Sequence, residues 1–81
     1  MNAELVYTAR LTGKNIYCFK VGGLYIIKII GLPGSATVII TSDCRVERIT
    51  GSGLSRQELE SIVIRVKQLL VEKRLLHCHR D

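Results

Sequence analysis

The sequence predicts an α+β domain: a small antiparallel sheet of four to five strands, open or curled into a partial barrel, followed by one C-terminal helix packed on it. Three observations carry this. Between residues 4 and 49, β-branched and aromatic residues recur with turn signals at short intervals, and no window there sustains a helical period. After Thr50-Gly51-Ser52-Gly53 the pattern changes to apolar residues three and four apart. No segment repeats another and no second core is available, so residues 1–81 form a single domain: strands at about 4–49, a linker at 50–54, a helix at about 55–76 and a tail at 77–81.

The first strand, about Glu4 to Leu11, alternates Leu5, Tyr7, Ala9 and Leu11 against Val6, Thr8 and Arg10, and ends at a turn over Thr12-Gly13-Lys14-Asn15. The second, Ile16 to Val21, meets the third, Leu24 to Ile30, across Gly22-Gly23, where glycine supplies the positive φ of a two-residue hairpin. Gly31-Leu32-Pro33-Gly34-Ser35 interrupts the run, because proline fixes φ and has no amide donor. A fourth strand is expected at about Ala36 to Thr41. After a turn at Ser42-Asp43, a fifth is expected at Cys44 to Ile49, at an edge where its charges meet water.

Ser55-Arg56-Gln57-Glu58 is a capping box and Leu54 with Leu59 a hydrophobic staple, so the helix starts here. Its main apolar stripe is Leu59, Ile62, Val63, Val66, Leu69, Leu70 and Leu76, which faces the sheet. A second stripe, Ile64, Val71, Leu75 and Cys78, lies roughly opposite. The third strand is also apolar on both sides, with Leu24, Ile26 and Ile30 against Tyr25, Ile27 and Ile29. One helix covers only one face, so either a barrel or a second chain must bury the surplus; a homo-oligomer, most simply a dimer through Ile64, Val71 and Leu75, is expected. In strand-then-helix order alone the layout resembles the single-strand-binding Whirly proteins, in which such units assemble through their helices; this resemblance rests on no residue motif and transfers no site.

Composition narrows the function classes. Ile, Val and Leu fill 27 of the 81 positions, enough apolar area to argue against disorder. Lys20, Lys28, Arg45, Arg65 and Lys67 break every apolar run short of a membrane span. The opening Met1-Asn2-Ala3-Glu4-Leu5 lacks the pattern of a secretory signal, so a cytoplasmic location is expected. Cys18, Cys44 and Cys78 are odd in number and widely spaced, unlike a secreted disulfide scaffold, and allow at most one internal bridge. Only four amides accompany the aliphatics, a bias in the direction of thermophile proteins, where intracellular disulfides occur.

No catalytic, cofactor or metal motif emerges. His77-Cys78-His79 offers zinc-type ligands, yet adjacent residues on a tail expected to hang free do not preform a site. Gly51-Ser52-Gly53 leads into a helix but lacks the lysine of a phosphate loop. What remains is charge: twelve basic against seven acidic residues, net +5. Arg56, Lys67 and Arg74 fall on one helical meridian, and Arg10, Lys14, Lys20, Lys28, Arg45 and Arg48 decorate the strands and turns, with Lys14, Lys20 and Lys28 the expected phosphate contacts among them. Tyr17, Phe19 and Tyr25 on adjacent strands are rings that could stack bases. The expectation is a non-enzymatic, homo-oligomeric nucleic-acid-binding or accessory protein using these cations on phosphates. The rival is a protein-interaction module, such as a small viral or mobile-element protein docking through an apolar face.

Overall fold

A computed structural model describes residues 2–31 and 34–78. Leu32 and Pro33 of the expected turn, and His79 of the His77-Cys78-His79 cluster, lie outside the described residues. Five strands, β1 (Glu4–Leu11), β2 (Lys14–Val21), β3 (Leu24–Ile30), β4 (Ser35–Thr41) and β5 (Val46–Ser52), precede one helix, α1 (Arg56–Glu72). The strands form an antiparallel meander in chain order. The sheet stays open, with β1 and β5 as its two edges, so the partial-barrel form does not arise.

The hairpins explain where the strand limits depart from expectation. Thr12 and Gly13 alone make the first turn, both at positive φ (49° and 77°), which frees Lys14 and Asn15 to pair with Leu11 and Arg10. At the second turn Gly22 takes positive φ (61°). Residues 42–44 form a three-residue loop: Thr41 N donates to Arg45 O (2.8 Å), Arg45 N donates to the Thr41 hydroxyl (3.1 Å), and Cys44 sits at φ 77°. The fifth strand therefore starts later than expected, and it continues through Gly51 and Ser52, which were expected to be linker. Gly51 suits this pairing, because a Cβ there would lie 2.6 Å from the Ser35 carbonyl oxygen.

Ser55 caps α1 by accepting from Glu58 N (3.1 Å). The other half of the box has a different partner, since the Glu58 carboxylate receives Lys14 Nζ. The helix stops at Glu72 rather than Leu76. Arg74 takes φ 61°, its N–H donates to Val71 O (2.9 Å) and Leu75 N–H donates to Leu70 O (2.8 Å), the two bonds of a Schellman motif. Ile62, Val63, Val66 and Leu70 pack on Ile16, Cys18, Ile27, Ile29, Val38 and Ile40 to form one core, with Leu76 buried beyond the helix end. The tail is tethered, contrary to expectation: His77 N donates to Ser42 O (2.9 Å) and Cys78 is bonded to Cys44. No helix among the described residues is long and apolar enough to cross a membrane.

Candidate nucleic-acid interface

Strand pairing sorts the sheet into two faces, because side chains alternate and paired residues share a side. The inner face lies under α1. The outer one carries two continuous rows: Leu5, Phe19, Ile26, Ile39 and Arg48 in one, Thr8, Tyr17, Lys28, Thr37 and Thr50 in the next. Arg10, Asn15 and Ile30 start a third. No part of the described chain covers these rows: Leu5 and Ile30 are exposed, as is Leu24 nearer the β2–β3 turn on the same face, and Tyr17, Phe19, Ile26 and Ile39 are half-buried.

The charges on this face have one sign. Arg10, Lys28 and Arg48 stand on it, whereas no Asp or Glu falls in these rows. Glu47, at the irregularity in β5, is held by Arg45 at 3.3 Å. Lys28 Nζ donates to the Thr37 hydroxyl across the strands (3.2 Å), which keeps its ammonium over the sheet. Tyr17 and Phe19, two residues apart on β2, present adjacent rings. Tyr25 does not join them: it is buried on the inner face, its hydroxyl donating to Leu75 O (2.7 Å).

The predicted cations separate. Lys28 belongs to the open face. Lys14 points inward, is 3% exposed and is ion-paired with Glu58, so it is removed from any phosphate. Arg56 is exposed but shares its charge with Glu60 at 3.3 Å. Lys67 lies half-buried in a groove, and Arg74 leaves the helical meridian because α1 has already ended. Lys20 is exposed at the end of β2. Arg10 and Arg48, expected only as part of the scattered basic decoration of the strands, complete the open face. The alternation held their signal, and a two-residue first turn was needed to set the register.

The predicted oligomer residues also separate. Ile64 and Val71, 58% and 41% exposed, line a groove of about 600 Å³ with Lys67, Gln68 and the Cys44–Cys78 bridge. Leu75 does not line that groove; it lines a separate recess with Tyr25, whose hydroxyl donates to its carbonyl.

Two cysteines are consumed by the bridge, so Cys78 offers no thiolate to the terminal histidines, and no group of three metal-ligating side chains occurs among the described residues. Burial pushes the free Cys18 thiol up from 9.0 to about 11, which keeps it protonated and unreactive at neutral pH. Comparison with protein-family models, curated proteins and solved structures gives no match to this chain.

Proposed function

We propose that this chain is a non-enzymatic nucleic-acid-binding or accessory protein that takes a strand across its open sheet face. The observation that carries the reading is the one-signed charge of that face: Lys28 stands opposite Tyr17, Arg10 begins the neighbouring row and Arg48 ends the row of Phe19 on the edge strand, with no carboxylate in the same rows. Aromatic rings stack on bases of any identity, and Lys and Arg neutralise phosphates, which favours single strands and little sequence readout. Self-association through the Ile64–Val71 groove leaves the sheet free, and a dimer doubles the cationic surface. The reading is cytoplasmic; an intact Cys44–Cys78 bridge there fits the disulfide-permissive interior of a thermophile.

The test is fluorescence anisotropy with random single- and double-stranded oligonucleotides over a salt series. Single strands should bind more tightly, with a log–log salt slope of about −0.7 per phosphate neutralised. Lys28→Glu with Arg48→Glu should weaken binding on all sequences alike. Absence of binding to either probe at low salt defeats the reading. A protein-docking module is then favoured by the aliphatic content of the same face, where Leu5, Leu24 and Ile30 are exposed. Sedimentation of wild type against Ile64→Glu and Val71→Glu tests the oligomer separately, and a monomer unaltered by either removes it.

A further inference from the structure

A second recess, of about 310 Å³, opens where β2 turns into β3, and its wall includes Lys20, Gly22, Gly23, Ser42, Arg74 and His77. These residues come from three separate segments: the β2–β3 hairpin, the β4–β5 loop and the chain that follows α1. Three are basic, and no carboxylate belongs to the wall. Glu4 stands opposite Lys20 in the β1–β2 register and Asp43 follows Ser42, yet neither lines the recess. Lys14, Arg45 and Arg56 each have a carboxylate partner, whereas Lys20 and Arg74 form no ion pair among the described residues.

The segment carrying Arg74 and His77 is fixed from several sides. The Schellman bonds hold its start, the Tyr25 hydroxyl holds Leu75 O, and His77 N donates to Ser42 O. The Cys44–Cys78 bridge closes it. Arg74 occupies φ 61°, a conformation in which glycine is the usual residue at a helix end. A strained backbone that presents a charged side chain to a prebuilt cationic recess is a pattern associated with ligand binding.

We propose that this recess, which opens on the helix side of the sheet where Lys20 pairs with Tyr25, binds a phosphate group, namely the terminal phosphate of a nucleic-acid strand that leaves the open face over the β2–β3 turn. Guanidinium and ammonium groups satisfy the several acceptor oxygens of such a group, and a terminal phosphate carries more charge than an internal one. The strand half of the proposal rests on the function proposed above; the phosphate half stands on the recess alone.

Two sets of measurements keep the halves apart. In anisotropy, short single strands of one sequence carrying a 5′-phosphate, a 3′-phosphate or neither are compared; in thermal unfolding, inorganic phosphate is titrated against the protein. Wild type should prefer one phosphorylated end by about tenfold, and inorganic phosphate should raise its Tm. Arg74→Gly suits the backbone at this position, so its own Tm should be unchanged or higher while both effects vanish. Tyr17→Ala should weaken all strands and leave the end preference intact. If no strand binds but inorganic phosphate still raises Tm through Arg74, the strand half is overturned and the recess is a small-anion site. Absence of both the end preference and the Tm shift in wild type, or their survival in Arg74→Gly, overturns the proposal.

Discussion

On β3, Ile27 and Ile29 point into the core and are sealed, whereas Ile26 and Ile30 on the same strand point the other way and keep contact with water. The neighbouring strands repeat the contrast, with Ile16 and Cys18 inside against Tyr17 and Phe19 outside on β2, and Val38 and Ile40 inside against Ile39 outside on β4. Residue type therefore does not distinguish the faces. What distinguishes them is α1, whose Ile62, Val63, Val66 and Leu70 reach only one side. The inner face supplies the cohesion of the domain, and the outer face, apolar but cationic, is free to meet something else.

That contrast can be broken most directly by truncating the two faces of one strand. Ile27→Ala should cost about 2–5 kcal/mol, because it leaves a cavity between sheet and helix. Ile26→Ala should cost about 1 kcal/mol or less, since its surroundings are half water. Chemical denaturation of both variants at low protein concentration is the measurement. Equal losses would mean that the outer face is also sealed, by a second chain that persists at that concentration.

The next effect concerns how the covering layer is held. The Cys44–Cys78 bridge spans 34 positions and ties the end of that layer to the β4–β5 loop. Replacing both cysteines by serine should lower stability by about 2–4 kcal/mol under oxidising conditions. Reduction of the wild type should reproduce the loss, and a truncation after Leu76 should match it. A truncated protein as stable as the full chain would show that the tether contributes nothing.

Two lysines sharpen the comparison further. Lys14 is buried on the inner face, its stem against Gly31 and its ammonium on Glu58, while Lys28 rests on Thr37 over the open face. Glu58→Gln leaves an ammonium buried without a counter-charge, and should cost about 2 kcal/mol or somewhat more, less than a fully enclosed pair because Glu58 is partly exposed. Lys14→Met should cost less than Glu58→Gln, since water reaches the carboxylate it abandons. Lys28→Met should change stability by about 0.5 kcal/mol or less. Urea titrations of the three variants should fall in that order.

The sequence was informative wherever a local rule decides the outcome. Alternation along β1 to β4, the glycine hairpin at Gly22 and the Ser55 cap are all set by neighbours in the chain. The apolar surplus was legible too, in Ile64 and Val71 on α1 and in a two-sided β3, although Leu75 and Cys78 of the expected second stripe lie past the helix end. Illegible were the features that depend on distant partners. Nothing within the helical pattern stops it at Glu72, because Arg74 in a left-handed conformation violates the usual glycine signal. Lys14 reads as a turn lysine until Glu58, on an element far along the chain, is brought to it. Likewise the cationic recess is assembled from three segments whose charges show no grouping in the sequence.

The sealing of the inner face also shows in a titration. Cys18 lies wholly inside the inner face, and desolvation raises its pKa from 9.0 to about 11. The unfolded chain releases this proton near the ordinary thiol value, whereas the folded chain holds it until about pH 11. The folded state thus binds more protons across that window, so stability is full below pH 9 and falls as pH rises through it. By pH 10 the loss attributable to this thiol should be on the order of 1 kcal/mol. Lysine and tyrosine titrations also contribute at these pH values, so the informative quantity is the difference between wild type and Cys18→Ala, followed by urea unfolding from pH 7 to 10. Cys18→Ala should be less stable at pH 7, from the cavity it leaves, and the gap should narrow steadily above pH 9. A gap constant with pH would mean that water reaches Cys18, and that the helix seals the inner face less completely than its burial implies.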